Sequence, residues 1–290
     1  MGPLEDRSLR FERAGLISSR KAEGVGILKT KTNMKEKLRK HELCIGTHVS
    51  LGEAVVTEMM GNLDYDYLWI DMEHSCINTD QLLNHLIAAR ASGINAIVRI
   101  PWNDAVLVKP VLDAGADGVI FPMVRSYEEA CYAVESSSYP PRGTRGYGPR
   151  RAAMFGMIEG KEYRAHADEK LMRFIQIEHI DAVNDLDRIL TIPELDAFIL
   201  GPNDLSGSMG RLGEFNMPDV RAVIDEAIAK INAAGKVAGV SLGAADEAAL
   251  TDWYNRGARM ISAGYDVKYI MSGAKANLAA MQKLFRNENE

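Results

Sequence analysis

The chain has 290 residues, 47% hydrophobic and 26% charged, with a net charge of −6. That is enough apolar sequence for a large core, and the acidic balance excludes the basic footprint of a nucleic-acid or anionic-membrane binder. Cys44, Cys76 and Cys131 are odd in number, far apart and without a CxxC pair, which excludes a disulfide framework and fits a reducing cytoplasm; no apolar run is long enough to span a bilayer.

Residues 1–33 mix Arg7, Arg10, Arg13 and Arg20 with Glu5, Asp6, Glu12 and Glu23 and show no sustained period. They lack the apolar core of a secretory signal and read as an extension with no role in the fold. From Met34 onward a pattern recurs: a short apolar run, a polar or Gly-containing break, then a helix-period segment. Strands are expected at 43–49, 67–71, 96–100, 118–122, 174–178, 197–201, 237–241 and 260–264. Helices are expected at 52–60, 80–91, around Val106–Leu112, and at 128–135, 182–190, 218–234, 246–256 and 267–285. Residues 136–156, rich in Pro, Gly and Arg, form a long break. Eight strands alternating with helices predict a (β/α)8 TIM barrel, a single α/β domain over 34–290. A doubly wound open sheet competes, but no GxGxxG or P-loop turn is present.

In a barrel the C-terminal strand ends share one mouth. There the sequence places Asp71, Glu73 and His74; Arg99; Pro122; Glu178; Asn203 and Asp204; Ser241; and Asp266. Glu178 follows an apolar strand, where an unpaired carboxylate is costly. Asp204 lies in Gly201-Pro-Asn-Asp-Leu-Ser206, a tight turn with backbone N–H groups beside a carboxylate. Together the two could hold a divalent cation through oxygen, Mg²⁺ or Mn²⁺ rather than zinc. The bland alternatives are that Glu178 pairs with an arginine and Asp204 caps a short helix. Arg99, in Ile97-Val-Arg-Ile-Pro101, is suited to an anionic oxygen. His41, His85 and His166 are expected at the surface, and His179 on the face opposite Glu178. No lysine sits at a strand end in a position suited to a Schiff base.

Seven stretches carry a resemblance, in order, from about residue 43 to 280. They are Asp71-Met-Glu-His74, Val98-Arg-Ile-Pro101, Lys109-Pro-Val-Leu-Asp-Ala-Gly115, Pro122-Met-Val124, Tyr139-Pro-Pro-Arg-Gly-Thr-Arg-Gly146, Gln176-Ile-Glu178 and Gly201-Pro-Asn-Asp-Leu-Ser206. In these the chain resembles the HpcH/HpaI aldolases, metal-dependent class II pyruvate aldolases of the phosphoenolpyruvate/pyruvate barrel superfamily. The resemblance implies that Glu178 and Asp204 bind a divalent metal (Mg²⁺, Mn²⁺ or Co²⁺) and that His74 is the acid/base. It implies that Asp71 and Asp113 orient His74, and that Arg99 contacts the pyruvate keto oxygen. Gln176 would lie near the substrate, with the Asn203 and Asp204 amides on the pyruvate carboxylate. It also implies a homo-oligomer, hexamer or trimer, whose last helix packs on a neighbouring subunit.

The expected reaction is reversible retro-aldol cleavage of a 4-hydroxy-2-oxo acid to pyruvate and an aldehyde. The alternatives are oxaloacetate decarboxylation, a CoA-ester lyase, or a catalytically silent binding barrel. His179 replaces the Ser or Thr of many relatives, and Arg150-Arg151 is a second departure. Hydroxylated sugar-acid fragments and succinic semialdehyde both stay open as partners of pyruvate.

Overall fold

Strand periodicity builds the molecule from the inside. In the computed structural model, which describes residues 32–287, eight parallel strands close into a barrel in sequence order. They are β1 (Cys44–Val49), β2 (Tyr67–Asp71), β3 (Asn95–Arg99), β4 (Gly118–Phe121), β5 (Met172–Ile177), β6 (Ala197–Leu200), β7 (Val237–Leu242) and β8 (Met260–Tyr265). Alternate side chains point inward. Cys44, Tyr67, Trp69, Ile97, Ile120, Phe174, Ile199, Val237 and Met260 therefore fill the interior as one cluster. Their neighbours Leu68, Ile70, Val98, Val119, Ile175 and Phe198 face out against the helices as a second. Size is matched across strands: a Cβ on Gly46 would lie 2.4 Å from the Tyr67 ring, so the small residue admits the large one.

The helices are α1 (Met34–Arg39), α2 (Ala54–Gly61), α3 (Thr79–Ser92), α4 (Ala105–Asp113), α5 (Tyr127–Ser137), α6 (Gly160–Lys170), α7 (Ile180–Asn184), α8 (Leu186–Ile189), α9 (Pro202–Ser208), α10 (Pro218–Ala233), α11 (Glu247–Arg256) and α12 (Asp266–Asn287). Met34 and Leu38 of α1 plug the end of the barrel where the strands begin. At that end three aspartates, each just before a strand, accept the amide of the second residue of the preceding one. Asp66 takes Ile45 N, Asp117 takes Ala96 N and Asp196 takes Arg173 N, each at 2.9 Å. Strand-start amides that would otherwise be orphaned are thus satisfied, and this end is given over to stability.

The expected barrel is present, with strand ends shifted by at most two residues. Three differences have physical reasons. Helix α6 falls where no element is expected: its sequence has no buried residue and hence no apolar stripe to read. The single helix expected at 182–190 is two short ones that meet at Asp185. Gly201-Pro-Asn-Asp-Leu-Ser206 is not only a turn but opens α9, with Pro202 in its first turn. Residues 1–31 of the expected extension lie outside the described residues. Its last two residues engage the barrel: Thr32 O accepts from Asn95 Nδ2 at 3.1 Å, and Asn33 caps α1.

Among the described residues no helix is long and apolar enough to cross a membrane, and Cys44, Cys76 and Cys131 are free thiols. Asp266, expected at the mouth, is fully buried and structural: its carboxylate accepts Ser50 N, Leu51 N and the Ser50 hydroxyl. His85, expected at the surface, is also fully buried, its Nδ1 2.7 Å from the Thr57 hydroxyl. Its place at an i, i+3 spacing from Leu82 puts it on the packed face of α3. His41 and His166 are exposed as expected.

Candidate active site

The segment after β2 wraps around its last carboxylate. Asp71 Oδ1 accepts the amides of Glu73 (3.0 Å) and His74 (3.3 Å), and the Ser75 hydroxyl donates to Asp71 O. This Asx-type turn sends successive side chains opposite ways. Glu73 turns inward, with 12% of its side chain exposed, and His74 outward with 66%. The His74 ring has Nε2 3.8 Å from Glu73 Oε2.

Arg99 ends β3, in register with Asp71, and is held as a fork. Its Nε donates to Asp71 Oδ1 at 2.9 Å and its Nη2 to Asp71 Oδ2. Nη1 lies 2.8 Å from Glu73 Oε2 and donates to Gln176 Oε1 at 3.3 Å, and the guanidinium stands 5.1 Å from the Trp69 ring centre. Burial opposes the charge on both partners. The Asp71–Arg99 pair outweighs it, raising Arg99 and lowering Asp71 from their ordinary values. Asp71 thus serves the arginine and the His74 backbone rather than the His74 ring.

Gln176 relays this arrangement across the mouth, because its Nε2 donates to Glu178 Oε2 at 2.6 Å. Glu178 is 2% exposed, and its other oxygen accepts Met123 N at 2.7 Å. Met123 has φ 54, an uncommon left-handed backbone for a non-glycine residue, which turns its N–H toward the carboxylate. Burial, with the nearby Glu73 and Asp204 charges adding, pushes Glu178 up to about 7. A Cβ on Gly201 would lie 2.6 Å from Glu178 Oε2, so only glycine leaves that oxygen its space.

Asp204 and Asn203 stand in the first turn of α9, where backbone amides have no preceding helical carbonyl to meet. Asp71, Glu73 and Glu178 face one guanidinium, and the exposed Asp204 carboxylate adds its charge to that of Glu73 and Glu178. That excess of negative charge fits a divalent cation with a preference for oxygen ligands. Among the described residues no three His, Cys, Asp or Glu side chains are grouped to enclose a cation by themselves, and Glu178 and Asp204 are the side chains that would hold one. The arginine pairing considered for Glu178 is indirect, through Gln176. The helix-start position considered for Asp204 is real and leaves its side chain exposed.

Two further sequence-based expectations concern His179 and Asp113. His179 caps α7, its Nδ1 accepting Asp181 N at 3.1 Å. Asp113 ends α4, nine residues and roughly 13 Å of helix away from the mouth. There its Oδ1 meets Arg145 Nη2 at 2.8 Å, so within one chain it is not brought to His74.

The structure also adds His48, which belongs to no motif in the sequence. It shares the inward face of β1 with Cys44 and Gly46, and strand parity was the available signal. Its Nδ1 is 2.8 Å from Gly264 O and its Nε2 3.0 Å from Ser241 Oγ. Its ring centre lies 4.9 Å from that of Trp69.

A closed (β/α)8 barrel with a carboxylate pair, a clamped arginine and a histidine near the strand C-terminal ends is an arrangement suited to an enzyme that stabilises developing negative charge. The chain belongs to the HpcH/HpaI aldolase/citrate lyase family, whose sequence profile matches residues 45–273. It is 38% identical over 230 residues to a hydroxypyruvate/pyruvate aldolase of Agrobacterium fabrum, covering 77% of this chain and 83% of that one. It is 34% identical over 246 residues to a 4-hydroxy-2-oxo-heptane-1,7-dioate aldolase of Salmonella dublin, covering 85% and 93%. Among solved structures, an HpcH/HpaI aldolase/citrate lyase family protein from Burkholderia cenocepacia superimposes with a TM-score of 0.81. It is 32% identical, over 86% of this chain and 98% of that one.

Proposed function

We propose that this protein is a class II 2-oxo acid aldolase, a carbon–carbon lyase that reversibly cleaves a 4-hydroxy-2-oxo acid to pyruvate and an aldehyde. The observation that carries the reading is the Arg99 fork, pinned by Asp71 and linked through Gln176 to Glu178. Arg99 donates to the keto oxygen as it gains enolate charge, and because its fork is already fixed it reorganises little. The Asn203 and Asp204 amides receive the substrate carboxylate. His74 removes the proton of the C4 hydroxyl, directly or through water, as the C3–C4 bond breaks. C4 becomes the aldehyde carbonyl, the bond's electron pair passes into the enolate, and a proton returned to C3 gives pyruvate. Glu178 and Asp204 would hold Mg²⁺ or Mn²⁺, which when bound supplies Lewis-acid stabilisation of the developing negative charge.

The same reading places the enzyme in the cytoplasm as a homo-oligomer. Every residue from Val267 to Leu284 on α12 is exposed, which supports a last helix that packs on a neighbouring copy. Asp113 reaches a His74 ring only from such a neighbour.

Proton NMR of pyruvate C3 exchange in D₂O tests the reading before any aldehyde is chosen. Exchange is expected with Mg²⁺ or Mn²⁺ and its loss with EDTA. Arg99→Ala is expected to slow it by about 10²–10³-fold, as for loss of an oxyanion donor. No exchange by the folded protein at saturating cation rejects the reading.

A further inference from the structure

His48 and Ser241 face the mouth from β1 and β7, across the barrel from β5 and β3, which carry Glu178 and Arg99. They are joined by a hydrogen bond whose direction the structure fixes. Gly264 O, 2.8 Å from His48 Nδ1, is a carbonyl and only accepts, so Nδ1 carries the proton. Burial keeps the ring neutral by lowering its pKa, which leaves Nε2 bare. Ser241 therefore donates its hydroxyl proton to Nε2 across 3.0 Å. Its oxygen is left with lone pairs only, at a strand end that is partly exposed to the mouth. The ring contact with Trp69, which also stacks near Arg99, holds His48 in this rotamer.

We propose that Ser241, oriented by His48, is the specificity-determining acceptor of the aldehyde side and selects short, uncharged aldehydes that carry a hydroxyl group. The inference rests on the aldolase reading and names its second substrate by class. A donor is needed opposite a lone-pair oxygen, which a hydroxyl supplies and an alkyl chain does not. The 2-oxo acid lies on the Glu178 and Arg99 side, so the donor belongs to the aldehyde. A carboxylate-terminated aldehyde would set acceptor against acceptor at Ser241. His48 acts through Ser241 and is a positioning residue.

The test is the ratio of kcat/KM for glycolaldehyde to that for acetaldehyde, with pyruvate as nucleophile and Mg²⁺ or Mn²⁺ present. Glycolaldehyde is intrinsically the more reactive, but that factor cancels when wild type and variant are compared. Ser241→Ala is expected to lower the ratio by about tenfold or more, because a site built for a hydroxyl discriminates through the unpaired group. His48→Phe keeps a ring against Trp69 and frees the serine proton, and is expected to lower the ratio as well. The double variant should lose little more than either single one, since the two residues act as a unit. Succinic semialdehyde should be a poorer partner than glycolaldehyde for the wild type.

An unchanged ratio in Ser241→Ala overturns the proposal. So does a change that appears only when hydroxypyruvate replaces pyruvate, which would put the donor on the 2-oxo acid. Absence of pyruvate C3 exchange in the wild type rejects the aldolase reading itself. Exchange with no hydroxyl discrimination rejects only this inference.

Discussion

Glu178 is the residue on which the electrostatics of the mouth turn. Two donors, Met123 N and Gln176 Nε2, address its oxygens, yet burial and the neighbouring carboxylates still push it up to about 7. A cation relieves that opposition, so binding should stabilise the fold by mass action. Adding Mg²⁺ or Mn²⁺ to EDTA-treated protein is expected to raise Tm by several degrees. Glu178→Gln, which keeps the shape and removes the charge, should lose most of that shift. An equal shift in both proteins would place the cation elsewhere. Arg99 and Glu178 stood out in the sequence because each lies at the end of an apolar strand, His74 and Asp204 because each lies in a polar cluster just beyond one, and the resemblance supplied the chemistry expected of them. Met123 was not legible, because what it contributes is a backbone N–H at an unusual φ, and a methionine does not announce that. His48 was hidden for the opposite reason. A single histidine in an apolar strand has no partner in its own sequence, since Ser241 and Gly264 lie far along the chain.

At the scale of elements, helices were read from their apolar stripe, which explains both the successes and α6. The α2–α3 pair shows what packing adds to a stripe. A Cβ on Gly61 would lie 2.1 Å from Ser92 Oγ, so the two helices touch where one residue has no side chain. Their shared interior holds His85 against Thr57, and burial lowers the His85 pKa. The unfolded chain takes up this proton below about pH 6.5, while the native state resists it. The contribution is therefore complete above that value and is lost as pH falls, by up to about 1.4 kcal/mol per pH unit for one group. Urea unfolding at pH 7.5 and pH 5.5 should show lower stability at the acidic value. His85→Gln should be less stable at pH 7.5 by roughly 1 kcal/mol, with a smaller acid loss. An acid loss as large as that of the wild type would assign the effect to other groups, His48 first among them.

For the whole molecule, the decisive feature is a helix that leaves its own barrel. A last barrel helix ordinarily buries one face on the strands beside it, but on α12 Val267, Ile270, Met271, Leu278, Met281 and Leu284 are all exposed. They recur at helical spacing, which makes a continuous apolar stripe. On the barrel, Ile45 of β1 and Val55 and Met59 of α2 are exposed as well, left uncovered by the described residues. Each such side chain is worth about 1.5–3 kcal/mol on burial. The stripe therefore supplies on the order of 10 kcal/mol per helix against the cost of association. A second copy of this chain is the occupant the proposed assembly requires, and the same assembly would bring a neighbour's Asp113 to His74. Light scattering after size-exclusion chromatography should find a homo-oligomer at micromolar concentration. Leu278→Glu with Met281→Glu, at positions distant from the mouth, should shift it toward monomer while leaving the barrel folded by circular dichroism. If Asp113 acts across the subunit boundary, dissociation and Asp113→Asn should each depress aldol turnover far more than they weaken divalent-cation binding. A monomeric wild type with full turnover would overturn both the assembly and the trans role of Asp113, and would return the orientation of His74 to groups within one chain, beginning with Glu73.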